Sequence, residues 1–100
     1  MNVSAESLMM EDGDLIANTT IKAYPNPTNG NLRLELKGFD EGKARVNLFS
    51  SDGRLSMQED IILTNDVQVL TLDLSSLPNG AYHLQLVFEN GTRQTMIIKQ

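Results

Sequence analysis

An all-β fold, an antiparallel sandwich of about seven short strands with a small barrel as the alternative closure, is the fold class this sequence predicts. Three observations carry it. Apolar residues recur with period two in several separate runs. Turn signals built on Asn, Asp and Gly break those runs at roughly 8–12 residue spacing. The helical template of apolar residues at i, i+3, i+4 and i+7 finds no comparable match after Thr20. One hundred residues, 40% of them hydrophobic, make one domain with one core.

The chain divides near Thr20. Residues 1–18 carry Glu6, Glu11, Asp12 and Asp14 with no basic residue, and Leu8, Met9, Met10, Leu15 and Ile16 do not alternate. Such a stretch buries little and reads as a linker, so residues 1–19 are expected to be an acidic junction and residues 20–100 the folded domain. Asp12-Gly13-Asp14 reads as a solvated turn, because a calcium loop needs more oxygen ligands at ordered spacing.

Next comes Ala23-Tyr24-Pro25-Asn26-Pro27-Thr28-Asn29-Gly30. The two prolines fix φ, remove two backbone donors and bias Tyr24 and Asn26 towards extended conformations. A stiff, donor-poor segment suits an edge, not a central strand, and Gly30 permits a turn into the row that follows. In that row Leu32, Leu34 and Leu36 share one face, with Arg33, Glu35 and Lys37 on the other. Val46 and Leu48 resume the period after the loop from Gly38 to Gly42. Asp52-Gly53 separates Val46–Ser50 from Arg54–Met57. Leu70, Leu72 and Leu74 form another row, Asn79-Gly80 marks the next strand start, and Tyr82, Leu84, Leu86 and Phe88 form the longest row, opposite His83, Gln85 and Glu89. Asn90-Gly91 separates that strand from Thr95–Ile98. Asp52-Gly53 and Asn90-Gly91 are each predicted as the central pair of a type I′ hairpin. The expected core is Leu32, Leu34, Leu36, Val46, Leu48, Leu72, Leu74, Tyr82, Leu84 and Leu86.

The residues offer little chemistry. A net charge of −5 argues against an electrostatic binder of nucleic acid or anionic membrane. Without Cys there is no disulfide, thiolate metal site or thiol nucleophile. His83 is the single histidine and sits on a polar strand face, as a surface residue does. Ser50-Ser51 and Ser75-Ser76 flank strands without a nucleophile elbow, and glycines scattered one per turn make no phosphate cradle. The sequons at Asn2, Asn18 and Asn90 matter only in a eukaryotic secretory setting. No run reaches the roughly 20 apolar residues of a membrane span, and no leader with a basic n-region is visible. The expectation is a non-enzyme with no catalytic residue, cofactor, metal or small-molecule substrate.

Four blocks occur in order: Tyr24-Pro25-Asn26-Pro27-x-x-Gly30; Val46-x-Leu48-Phe49-x-x-Asp52-Gly53-Arg54; Leu74-Ser75-x-Leu77-x-x-Gly80-x-Tyr82; and a last strand closing on Ile97-Ile98-Lys99. Together they resemble the C-terminal sorting domain, type A, of the type IX (Por) secretion system of Bacteroidetes, over roughly Thr20 to Gln100. The departure is the Lys99-Gln100 terminus, where many members are more basic. The resemblance implies an immunoglobulin-like sandwich at the end of an exported cargo protein whose own leader lies upstream. It implies passage through the periplasm, recognition by an outer-membrane shuttle and translocon, cleavage by a surface sortase within residues 1–19, and joining of the cargo to lipopolysaccharide.

The recognition candidates are Pro25, Asn26, Pro27, Gly30, Asp52, Gly53, Leu77, Gly80, Tyr82 and Lys99. Gly30, Gly53 and Gly80 are expected to serve backbone geometry, and Tyr82 to pack in the core with its hydroxyl at the rim. Lys99 is expected to be exposed on a last strand whose outer edge is free for capture by strand addition. The alternative function is an Ig-like adhesion or carbohydrate-binding module of a surface protein, distinguished by its position in the full gene product.

Overall fold

A computed structural model describes residues 19–100. The acidic stretch before Thr19, with the Asp12–Asp14 turn, the first two sequons and the expected cleavage junction, lies outside the described residues. Seven strands follow in order: β1 (Thr20–Tyr24), β2 (Asn31–Lys37), β3 (Gly42–Ser50), β4 (Leu55–Leu63), β5 (Gln68–Asp73), β6 (Gly80–Phe88) and β7 (Gly91–Lys99). They form two antiparallel sheets, one ordered β1-β2-β5 and the other β4-β3-β6-β7. The sandwich, with no helix among the described residues, is the predicted fold class.

The alternating rows meet between the sheets. Leu32, Leu34, Leu36 and Leu72 face Val46, Leu48, Leu84 and Leu86 in one buried cluster that also holds Leu74 and Tyr82. All ten expected core residues are buried. Phe39, Ala44, Leu63 and Ile97 join them, and Phe39 meets Phe88 edge-on with ring centroids 5.0 Å apart. Arg33 and Lys37 point to solvent and Glu35 is half-buried, as period-two alternation requires.

Both hairpins differ from the expected type I′ turns. The Gly53 amide donates to the Ser50 carbonyl (2.9 Å) and the Ser50 amide to the Arg54 carbonyl (2.8 Å). The central residues of that turn are therefore Ser51 and Asp52, and Gly53 closes a three-residue loop with φ +88°, the arrangement of a type I turn followed by a glycine bulge. At the other hairpin Phe88 pairs with Gly91, so Glu89-Asn90 make the turn and Gly91 begins β7. In each case the glycine sits one position later than a central pair would place it.

Strand polarity sorts the connections. The segment 25–30, the loop 51–54, the turn 74–79 and the end of β7 all lie at one end of the sandwich. Thr20, where the chain enters, pairs with Lys37 at the opposite end, together with the remaining loops. Nine-residue strands at about 3.3 Å per residue separate the ends by roughly 30 Å.

Candidate functional site

The segment from Pro25 to Gly30 leaves β1 and runs as a strap along the outer edge of β7. Neither proline can donate, so the ladder is completed by the side chain between them. Asn26 Nδ2 donates to the Met96 carbonyl (2.9 Å), and Asn26 Oδ1 accepts from the Ile98 amide (2.9 Å). Two residues on, the Thr28 amide donates to the Ile98 carbonyl and the Gln100 amide donates to the Thr28 carbonyl, both at 2.8 Å. Thr28 thereby forms a parallel bridge with Lys99. The outer edge of the last strand, expected to be free, is covered at its C-terminal half. Further back, Arg93 Nη1 donates to the Thr19 carbonyl (3.0 Å) and to the Thr19 hydroxyl.

Thr28 is the strap's inner anchor, with 1% of its surface exposed. Its hydroxyl donates to the Asn31 carbonyl (2.6 Å) and accepts from the Gly30 amide (3.1 Å). Gly30 then turns the chain with φ +155°, and a Cβ added there would meet Ser75 Cβ at 3.4 Å. Its carbonyl accepts from the Leu74 amide (2.7 Å), fastening the strap to the turn after β5.

That turn holds the third block. The Leu77 amide donates to the Leu74 carbonyl (3.0 Å), and Leu77 packs half-buried against the core. Tyr82 is 3% exposed, and its hydroxyl donates to the Pro78 carbonyl (2.5 Å) at the rim. Gly80 pairs with Lys99 at φ +152°, and nothing lies within 4 Å of where a Cβ would sit. Backbone conformation, not crowding, requires glycine there. Lys99, expected to be exposed, is buried. Its Nζ donates to the Leu77 carbonyl (2.9 Å) and to Asn79 Oδ1 (3.4 Å), so the charge is hydrogen-bonded into the turn. Period two explains this: Ile97 and Lys99 point inward, and Met96 and Ile98 outward.

Asp52 and Gly53 stand on the neighbouring loop. Hydrogen bonding from the Ser50 hydroxyl, chiefly, holds the Asp52 carboxyl below the ordinary aspartate range. Between this loop and the turn lies a cleft of about 480 Å³ bordered by Ser51, Asp52, Arg54, Leu55, Pro78 and Tyr82. A larger groove, about 780 Å³, lies towards the other end along Arg45, Asp60, Ile62 and Val87, and none of the motif residues lines it. Among the described residues no cluster of His, Asp or Glu could hold a metal ion.

All ten candidates thus gather at one end of the molecule, though they are scattered over seventy-five positions from Pro25 to Lys99. The family described as the secretion system C-terminal sorting domain matches residues 22–100, which hold every one of these blocks. The chain belongs to this family. None of the curated proteins compared with it matches. As a type IX sorting domain it is the C-terminal signal of a protein destined for the outer-membrane surface or the extracellular space, recognised by the secretion machinery and carried on a cargo.

Three features of this sorting domain escape sequence reasoning. Thr28 falls at an unspecified position of the first block, and only its burial reveals it. The ladder role of Asn26 has one signal in hindsight: a side-chain amide held between two residues that cannot donate. Gln68 has none, because its partners, Ile62 on β4 and Thr64 just past its end, follow from how the chain turns from β4 into β5. Gln68 Nε2 donates to the Ile62 carbonyl (2.7 Å) and its Oε1 accepts from the Thr64 amide (3.1 Å).

Proposed function

We propose that this sorting domain directs an upstream cargo from the periplasm across the outer membrane, and that the secretion machinery reads the end built from the strap, the turn 74–79 and the loop 51–54. The observation that carries the proposal is convergence. Family blocks far apart in sequence share one end, while the chain enters roughly 30 Å away, where a cargo stays clear of a bound receptor. Residues 1–19 serve as the junction, and residues 20–100 as the signal. A surface sortase cuts within the junction and joins the cargo to lipopolysaccharide. The domain itself contributes recognition, not catalysis, and takes no cofactor.

The test is a periplasm-directed reporter fused to the N-terminus of the full 100-residue chain in a host carrying the type IX system. The fusion should reach the surface or medium, and the same reporter without the domain should stay in the periplasm. Retention of both would point to the adhesion or carbohydrate-binding module instead.

A further inference from the structure

The two sheets differ by one strand, and the difference falls on β4. Where the sandwich closes on its other side, β1 lies beside β7. Counted from there, three strands face four, and β4 extends past β5 as a ledge. Burial follows the overhang. The inward residues of β3, Ala44, Val46 and Leu48, are buried. Their partners on β4 are Ile61, Glu59 and Met57, which share the inward side. Ile61 and Met57 are only half-buried, and Glu59 between them is exposed.

The edge of β5 beside this ledge can accept a strand. The Leu74 amide donates to the Gly30 carbonyl, and Leu72 and Leu70 pair with Leu32 and Leu34 in the same register. Alternation then turns the amide and carbonyl of Val69 and of Thr71 away from β2, and no strand among the described residues pairs with them. A strand added there, about 4.8 Å beyond β5, rests its inward side chains on Met57, Glu59 and Ile61.

Charge selects the occupant. From Leu55 to Asp73 the chain carries Glu59, Asp60, Asp66 and Asp73 and no basic residue. Asp60 is held by Arg45 on the outer face (2.7 Å). Arg54 stands beside Asp52 (4.0 Å), and Arg33, opposite Thr71, projects from the outer face. Among the described residues no cation lies within ion-pair distance of Glu59. A second copy paired through its own β5 would bring Glu59 and Asp60 of both ledges together, and residues 1–18 carry acids alone. Like charges exclude both.

Resting on the sorting reading, we propose that β5 and the β4 ledge form a second docking place, and that its occupant is one extended segment of a type IX component. That segment adds to β5 through Val69 and Thr71. Its inward side chains are aliphatic, against Met57 and Ile61, around one Lys or Arg that meets Glu59.

The test uses the full-chain reporter fusion. Glu59→Lys reverses the ledge charge, and Thr71→Pro removes one outward donor, a change that an edge strand tolerates. Each should lower export about tenfold, while Glu41→Lys, an exposed acid off the ledge, should stay within about twofold of the parent. All three should keep the parent's melting temperature. Parental export of Glu59→Lys and Thr71→Pro would overturn the docking place and leave the sorting function standing. Should Thr71→Pro unfold, Glu59→Lys alone decides. A benzophenone amino acid at position 71 should give an adduct with a component of the machinery. No adduct, or one confined to the fusion itself, would overturn the machinery as the source of the strand. A parent fusion that never leaves the periplasm overturns the sorting function, and this partner with it.

Discussion

The two edge strands of the four-stranded sheet, β7 and β4, are closed by the same device to different extents. On each, a side-chain amide takes the place of a missing neighbouring strand: Asn26 spans the Met96 carbonyl and the Ile98 amide, and Gln68 spans the Ile62 carbonyl and the Thr64 amide. On β7 the device continues into backbone bonds through Thr28, which is itself buried. On β4 it ends at Gln68, and among the described residues nothing else pairs with the outer edge from Leu55 to Ile61. An amide alone blunts an edge, whereas an amide followed by a buried threonine joins the edge to the rest of the molecule. The joined edge is the one carrying the family motif, which explains why two prolines, an asparagine and a glycine stand together there.

The comparison breaks most readily in the core beneath each edge. Ile97 on β7 is fully buried, and Ile97→Ala should cost about 2–5 kcal/mol of unfolding free energy in urea titration. Ile61 on β4 only packs partly against the cluster, so Ile61→Ala should cost roughly half as much, in proportion to the apolar area it buries. Equal losses would mean that the two edges are anchored alike.

The clasps themselves come next. Asn26→Ala removes two exposed hydrogen bonds and loosens the strap behind them, so it should cost about 1–2 kcal/mol. Gln68→Ala removes two bonds with nothing behind them and should cost about 0.5 kcal/mol. A larger loss for Gln68→Ala would reverse the ranking of the edges.

How much of this is legible in the sequence follows from where each signal resides. The ten predicted core residues reveal themselves because the pleat converts alternation directly into burial. The strap's position does not, because it depends on which strand the first block crosses to reach, a tertiary choice made through Asn26 and Thr28. Lys99 is misplaced by sequence reasoning for the same reason: its charge argues for solvent, while its register beside Ile97 turns it inward to the carbonyl of Leu77. The two glycine turns fall where the sequence puts them but with the central pair one residue earlier, at Ser51-Asp52 and Glu89-Asn90, since a DG or NG pair does not say whether its glycine is central to the turn or closes it.

The smallest expected effect is electrostatic. Hydrogen bonds from Ser75 lower the Asp73 carboxyl at the motif end, and Arg45, by hydrogen bond and then charge, lowers Asp60 on β4. A carboxyl lowered in the folded state adds stability above its unfolded value of about 4 and loses that contribution as pH falls through the folded value. Both are solvent-exposed, so the acid slopes are shallow. Asp73→Asn should flatten the fall in melting temperature below about pH 4 as slightly as Asp60→Asn does. A steep change from Asp73 alone would mark it as part of the strap's support.

Residue-resolved hydrogen exchange on the unmodified domain tests the sealed edge most directly. The Ile98 and Thr28 amides, each bonded across the strap, should exchange only as fast as the domain opens. The Gln58 and Asp60 amides share the outward side of β4 with the Ile62 carbonyl and should exchange many times faster. Exchange at Ile98 and Thr28 as fast as at Gln58 and Asp60 would contradict the sealed edge, and with it the role of the proline-asparagine-proline motif as the clasp that closes β7.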